Sequence, residues 1–440
     1  MELKEKAKEK IKERKKVNKY RRKNAIIYPI YKAFSWDLLC YYSIEYLFLT
    51  ITKGITPGQV LVSTAIYAFA KVIFEIPTVI FTEYAGKRKS LILGNFFIFI
   101  AIVSLIFAPN FFVVCIYQIL TAIGYDIKAI CDGNLLYDSV ATKGGDGLYT
   151  RLESKGATSY YVIDATLSLM AGYLFVINNY IPMIICAICL FIALVLSINL
   201  KEIHTVKSKK KVSTFIKEYK SDISASLKFI IKSKRMKAFV LFASVFYALI
   251  KIMTTYRSSL LTELNVGAEQ FSIILASLSL IAAVSSAYSQ KLQDKLKNKM
   301  LTFISISFII SWIIIGVVAM KFSSTIALPI ILLMYVVNRS GEAQWYIVKD
   351  KYLRNFTRAK TRAKITFAFE MIVCLTTGII SLIGAKILDD VNIKYAILLV
   401  SLGGLAIMIV ILDYMRKRFG LKPKQYAKED IRFNKIFASK

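Results

Sequence analysis

Long apolar stretches separated by short polar connections run from residue 28 to residue 415 of the chain. Each stretch has the length of about 20 residues that a helix needs to cross a hydrocarbon core of roughly 30 Å. The apolar positions lack the strict alternation of a transmembrane strand, so we predict helices and not a barrel. Twelve spans are predicted, at about 28–50, 60–82, 90–108, 112–138, 157–177, 181–200, 237–261, 269–289, 300–320, 325–347, 364–388 and 394–415.

Composition agrees with this pattern. The chain has 440 residues, of which 56% are hydrophobic, and its mean hydropathy is +0.54. A soluble domain could not cover so much apolar surface. The sequence therefore predicts an all-α membrane protein of twelve transmembrane helices in two pseudo-symmetric six-helix bundles.

The formal net charge of +32 is distributed unevenly over the connections. One set, which includes "GKRKS" and "KEIHTVKSKKKVSTFIKEYK", is rich in cations, as are both termini, whereas the opposite set, which includes "ITKGITPG" and "APN", holds few. Positively charged loops stay in the cytoplasm, so both termini are expected there. Topology thus accounts for the charge, and no nucleic-acid partner is expected. The richness in Lys and Ile favours a bacterial cell membrane.

The basic N-terminal segment, residues 1–27, precedes the first span directly. Two interpretations stay open: it binds anionic lipid headgroups, or it is a solvated tail that sets topology. It does not have the pattern of a signal peptide, because its basic part is too long and no small-residue cleavage site follows.

The longest hydrophilic interruption divides the chain into halves. We predict an N-terminal bundle at 28–200, a cytoplasmic linker at 201–236, a C-terminal bundle at 237–415 and a cytoplasmic tail at 416–440. Halves of six spans each suggest internal duplication, which is common in secondary transporters.

A short motif supports the duplication. In "FEIPTVIFTEYAGKRKSLILGN", an acid and a glycine precede a run of cations between two apolar stretches; the residues are Glu83, Gly86, Lys87 and Arg88. The second half carries a degraded copy, "SQKLQDKLKNKML", at the corresponding place. There Asp294 stands for the acid, and Lys299 for the second cation.

The motif resembles the signature loop between the second and third helices of the major facilitator superfamily. Val79 and Tyr84 depart from the usual glycine and arginine of that loop. The preceding Glu75, Pro77 and Thr78 are similar to the acid-x-Pro-Thr start of bacterial drug-exporter-like members. The resemblance implies a secondary transporter, not an enzyme, with two halves that rock about a central site and a cytoplasmic gate at this loop.

Charged residues inside the spans are the candidate transport residues. Each costs on the order of 2.5 to 3.5 kcal/mol at a helix centre, so it must be paired, hydrated or functional. Burial favours the protonated form of a carboxyl group, which makes buried acids candidates for carrying a proton. The proton-coupling candidates are Asp37, Asp126, Asp132 and Glu342.

Helical spacing groups further polar residues. Asp37, Tyr41 and Glu45 follow one another at four-residue steps, and Tyr125 and Lys128 share a face with Asp132. The candidates for the substrate cavity are Tyr41, Glu45, Tyr125, Lys128, Tyr247, Lys251, Tyr335, Asn338 and Arg339. The alternative is that Lys128 with Asp132, and Arg339 with Glu342, are structural ion pairs on single helices.

Other chemistry is not indicated. The six cysteines lie in predicted spans, the single histidine, His204, lies in the linker, and no phosphate-binding loop is present. We therefore expect no catalytic residue, metal or cofactor, and a monomer that binds a small molecule and protons. The first hypothesis is proton-coupled efflux of small amphipathic compounds. The alternatives are proton-coupled uptake of a polar or anionic solute, which Lys251, Arg257 and Arg339 favour, and a transporter-like sensor.

Overall fold

The computed structural model describes residues 2–140, 145–203, 211–296, 299–357 and 361–419, and side chains from residue 15 onward except those at 145–147, 417 and 419. His204 and the tail from residue 420 lie outside the described residues, as do the side chains of the first half of the basic N-terminal segment.

The described chain is built from helices. They are α1 (Glu2–Ser35), α2 (Glu45–Leu47, continued by a π-helical turn Phe48–Thr52), α3 (Pro57–Ala85), α4 (Lys87–Ile106), α5 (Phe111–Val140), α6 (Gly145–Ile177), α7 (Ile181–Asn199), α8 (Val212–Lys232), α9 (Lys234–Glu263), α10 (Ala268–Ala287), α11 (Ser289–Leu296), α12 (Met300–Lys321), α13 (Ser324–Phe356), α14 (Arg362–Asp390) and α15 (Ile393–Phe419). Eleven of the described helices are long and apolar enough to cross a bilayer. They correspond to the second through twelfth predicted spans.

The first predicted span, 28–50, is wrong as a continuous helix. Helix α1 ends at Ser35, and residues 36–44 form bends and turns before α2 begins. Cys40 in this break has a φ of 62°, a left-handed conformation that costs a non-glycine residue about 1–3 kcal/mol. The four-residue steps from Asp37 to Glu45 therefore do not place these residues on one helical face.

The chain divides into two compact units. Unit 1 comprises Met1–Lys53 and Ile73–Val212, and unit 2 comprises Gly54–Val72 and Ser213–Lys440. In unit 1, α1 packs on α6 and α7, and α4 packs on α5 and α7. In unit 2, α9 packs on α14 and α15, and α12 packs on α13 and α15. The same four helix pairings occur in both units, as expected for a duplicated six-helix bundle.

Each unit has its own core. In unit 1, Tyr28, Tyr31 and Leu91 pack with the C-terminal half of α5. In unit 2, an aromatic cluster joins α9, α13 and α14: the Trp345 ring lies 5.4 Å from Phe246, and Phe239 stacks 5.8 Å from Phe369. Such buried ring pairs fix the distance between the helices that carry them.

The predicted linker contains the amphipathic helix α8. Its Asp222 carboxylate pairs with Lys364 of α14 at 2.7 Å, and its Tyr219 ring meets Phe367 edge-on at 6.0 Å. Helix α8 therefore packs on α14 within unit 2.

Candidate functional site

A cluster of buried charges in unit 1 is centred on Lys32 of α1. Its ammonium lies 2.7 Å from Asp132 Oδ2 on α5 and 3.2 Å from Glu153 Oε1 on α6. The Tyr28 hydroxyl donates to the other oxygen of Glu153 at 2.8 Å. One cation therefore holds two carboxylates and joins three helices.

The close approach of α6 to Lys32 depends on Gly156. A Cβ atom at this position would lie 2.6 Å from the Cβ of Lys32, closer than real Cβ contacts. The absence of a side chain lets α6 pack against α1, which brings Glu153 one helical turn away within reach of the ammonium.

Helix α5 contacts the end of α1 and the residues just after it through three side chains on one face. The Tyr125 hydroxyl donates to Asp37 Oδ1 at 2.5 Å, and the Lys128 ammonium donates to the Ser35 carbonyl. Asp132, one turn further along, pairs with Lys32. The predicted shared face of Tyr125, Lys128 and Asp132 thus faces a single neighbouring segment.

These contacts explain where α1 ends. A helix leaves its last carbonyl groups without intrahelical partners, and a cation at this end is favourable. Lys128 supplies a donor to the Ser35 carbonyl. Asp37 Oδ1 accepts from its neighbour Leu38 N and from the Tyr42 hydroxyl, each at 2.8 Å. Local bonding of an aspartate to the backbone competes with continuation of a helix.

Asp37 and Asp132 differ in their surroundings. Asp37 accepts three hydrogen bonds on one oxygen, Oδ1. Asp132 is buried, and its Oδ1 has no hydrogen-bond partner in the part of the chain that the structure describes. Asp132 therefore has a free acceptor position inside the bundle, while Asp37 holds the broken segment in place.

The remaining unit 1 candidates lie around the break. The Tyr117 hydroxyl donates to the Tyr41 hydroxyl at 2.7 Å, and Glu45 lies beside Tyr41. Asp126 is half-buried on α5.

The second polar cluster lies in unit 2, on α9 and α13. Arg339 pairs with Glu342 at 2.8 Å, one turn apart on α13. Arg257 of α9 is near enough to interact with both. Its buried Nε has no hydrogen-bond partner among the described residues, and no described acid forms an ion pair with Arg257. The cluster thus holds more positive than negative charge.

Aromatic and amide groups surround this cluster. Lys251 lies 5.5 Å from the centroid of the Tyr247 ring, which meets Tyr346 edge-on. Tyr335 is buried beside Trp312. The amide of Asn338, oriented to donate to the Phe308 carbonyl at 3.1 Å, accepts from Trp312 Nε1 at 3.2 Å. Asn338 therefore fastens α13 to α12.

The alternative of ion pairs on single helices holds for one pair and fails for the other. Arg339 and Glu342 are paired as that alternative expected. Lys128 instead bonds to a backbone carbonyl, and Asp132 pairs with Lys32 of another helix.

The motif at the end of α3 is held by an ion pair and hydrogen bonds within unit 1. Gly86, with φ 90° and ψ 157°, adopts a conformation that is open essentially only to glycine and begins α4. Lys87 Nζ pairs with Asp138 of α5 at 2.5 Å, and the Glu202 carboxylate accepts from the backbone N–H groups of Lys87 and Arg88 at 3.1 and 3.3 Å. An acid at a helix N-terminus is stabilising.

The acids of the two motif copies make no ion pair with a described residue. Glu83 is half-buried, whereas Asp294 on α11 and Lys299 before α12 are exposed. Lys87 of the first copy therefore pairs with Asp138 and not with Glu83.

Lys32 and Glu153 were missed by the sequence analysis. Lys32 lies inside the first predicted span. A cation at such a position indicates a paired or functional residue, so the sequence did contain a signal for Lys32. Glu153 falls in a stretch assigned to a cytoplasmic loop, but α6 begins at Gly145 and so includes it. Among the described residues, no group of three His, Cys, Asp or Glu side chains could hold a metal ion.

The Lys32 cluster predicts a large effect on stability. Lys32→Met leaves two carboxylates without their cation and should lower the free energy of unfolding in detergent by about 3–5 kcal/mol. Adding Asp132→Asn to Lys32→Met should recover part of that loss. The control, Lys89→Met at an exposed position of the same unit, should change stability by less than about 0.5 kcal/mol. Additive effects of Lys32→Met and Asp132→Asn would contradict the pairing.

The fold is similar to those of solved membrane transporters. A nucleoside transporter, NupG, aligns with a TM-score of 0.70 at 12% identity and covers 90% of this chain and 99% of its own. A POT family transporter in complex with 5-aminolevulinic acid aligns at 0.66 and 15% identity, over 91% and 97%. A peptide transporter POT aligns at 0.65 and 14% identity, over 90% and 94%. At these identities the likeness concerns the fold.

No curated relative matches the sequence at a significant level. The family description "Major Facilitator Superfamily" matches residues 33–343, which is more than half of the chain. These residues include both charge clusters apart from Lys32. The chain belongs to the Major Facilitator Superfamily of membrane transport proteins.

Proposed function

We propose that the protein is a proton-coupled secondary transporter, working by alternating access, whose substrate is a small organic solute with an anionic group. The observation that carries the proposal is the Lys32 cluster, in which two carboxylates share one ammonium inside a membrane-spanning bundle. Ionisable groups within a membrane bundle commonly mark proton or substrate pathways.

Asp132 is the proposed proton carrier. Its Oδ2 accepts from Lys32, and its buried Oδ1 has no hydrogen-bond partner among the described residues. A proton held at Oδ1 would neutralise this carboxyl group, and Lys32 would keep Glu153 as its carboxylate partner. Loading and release of the proton therefore change the ionic contacts between α1 and α5, while the contact between α1 and α6 persists.

The broken segment after Ser35 is the part of the chain on which this change in ionic contacts acts. Lys128 and Tyr125 hold the broken segment to α5, the helix that also carries Asp132. A change at the Lys32–Asp132 pair therefore acts on the same helix contact that positions Asp37. Discontinuous helices are a recurrent feature of substrate and ion sites in transporters.

The positive excess in unit 2 supports an anionic substrate group. Arg257 has no ion-pair partner there among the described residues, and its guanidinium can bind a carboxylate or phosphate through two parallel hydrogen bonds. The solved neighbours include transporters of nucleosides and peptides, which are small polar solutes. This supports transport of a polar solute across a cell membrane.

A second candidate is proton-coupled efflux of small amphipathic compounds. The exporter-like residues Glu75, Pro77 and Thr78 favour it, and Pro77 lies inside α3. The two candidates differ in the charge of the substrate. They also differ in whether the substrate moves in the same direction as the proton or in the opposite direction.

Asp132→Asn should uncouple transport from protons. In proteoliposomes, with a solute selected by thermal shift from carboxylates, phosphates, nucleosides and short peptides, the variant should retain exchange of labelled for unlabelled solute. It should lose accumulation driven by a pH gradient, because the proton carrier is missing. The control Asp390→Asn, at an exposed position at the end of α14, should behave as the wild type. Equal gradient-driven accumulation in wild type and Asp132→Asn would exclude Asp132 as the carrier.

Arg257→Gln should weaken binding of anionic hits by about 30-fold, equivalent to about 2 kcal/mol for a lost charge pair. Neutral analogues of the same hits should bind as before, and Arg354→Gln, exposed on α13, serves as the control. Titration calorimetry on the purified protein checks both. Strong hits that are all neutral or cationic, with no effect of Arg257→Gln, would favour the efflux candidate.

A further inference from the structure

A groove opens on the surface of unit 1 at the ends of α4 and α7. Its volume is about 810 Å³, within the range of sites that bind small molecules. Its walls are apolar and include Phe99, Val103, Phe107, Ile184, Ile188 and Phe191. Phe107, Ile188 and Phe191 are exposed, so the groove opens outward and not into the bundle.

A single cation, Lys53, stands at the mouth of this groove. Its ammonium donates to the Ile106 carbonyl at 2.6 Å. It also lies 5.3 Å from the Phe48 ring centroid and 5.1 Å from that of Tyr180. These three contacts fix the charge at the groove, whereas a lysine that merely extends toward water would be mobile.

Lys53 has unused bonding capacity. An ammonium has three donors, and the Ile106 carbonyl takes one of them. In the described part of the chain, no acid forms an ion pair with Lys53. Partial burial lowers the pKa of this lysine, so an anion beside it would favour its charged form.

The position of the groove matches an edge of the bilayer. Lys53, Ala108 and Tyr180 come from three connections of the cation-poor set, which the charge pattern predicts to lie on the non-cytoplasmic side. Tyrosine and lysine are typical of the headgroup level, and the apolar walls continue from there along helices long enough to cross the membrane.

We propose that this groove binds an anionic phospholipid of the non-cytoplasmic leaflet, with its phosphate at Lys53 and one acyl chain between α4 and α7. The charge supplies a partner for the phosphate, and the apolar walls supply a surface for the chain. A free inorganic phosphate would meet only one cation and would gain nothing from those walls. A phospholipid matches both parts of the site.

The test measures lipid retention by the full-length protein. Wild type and variants are released from nanodiscs of phosphatidylcholine with a minor fraction of phosphatidylglycerol, and bound lipids are counted by native mass spectrometry. Lys53→Gln should weaken phosphatidylglycerol binding about fivefold, the effect expected for one cation at a membrane surface. Ala187→Trp should also reduce binding, because the larger side chain fills the groove and leaves Lys53 in place.

The control is Lys321→Gln, an exposed lysine at the end of α12 in a cation-poor connection of unit 2. It should retain phosphatidylglycerol as the wild type does, and added inorganic phosphate should not displace the lipid. Equal loss in Lys53→Gln and Lys321→Gln would overturn the proposal in favour of general surface charge. Displacement by inorganic phosphate would indicate a free anion site, and a dimer that Ala187→Trp abolishes would indicate a second copy as the occupant.

Discussion

A charge buried in a membrane bundle is costly unless it is paired, hydrated or functional, and this constraint organises unit 1. Lys32 meets it by pairing with Asp132 and Glu153, which lie on two different helices. The same pairing fixes the register of α1 against α5 and α6. Removal of one partner would leave an uncompensated charge, which costs far more than the pair contributes when complete. The cluster therefore ties three helices together, and the proposed protonation of Asp132 would change its contact with α1.

The break after Ser35 depends on that register. Lys128 reaches the Ser35 carbonyl and Tyr125 reaches Asp37 from the same face of α5 on which Asp132 pairs with Lys32 of α1. Unit 2 repeats the helix pairings without repeating this chemistry. Its corresponding helices carry Arg257, Arg339 and Glu342, with positive charge in excess. The two units therefore share their helix pairings, while the polar residues on the corresponding helices differ.

The hydrophobic pattern was enough to predict eleven spans, because the length of an apolar helix is set by the bilayer and not by its neighbours. The break in the first span depends on contacts with distant residues, such as Lys128 at the Ser35 carbonyl. The spacing of residues within the span does not indicate such contacts, so the break could not be predicted from it. The pair of Lys32 with Asp132 was not predicted for the same reason, since the two residues are 100 positions apart. The face formed by Tyr125, Lys128 and Asp132 was predictable, because helical periodicity alone determines it.

Protonation of Asp132 is tested most directly by infrared difference spectroscopy of the protein in liposomes, recorded between an acidic and a neutral pH. We expect a protonated carboxyl band that disappears in Asp132→Asn and persists in Asp37→Asn, because Asp132 has a buried oxygen without a hydrogen-bond partner among the described residues, whereas Asp37 Oδ1 accepts hydrogen bonds. A carboxyl band that is unchanged in Asp132→Asn would contradict the assignment of Asp132 as the proton carrier.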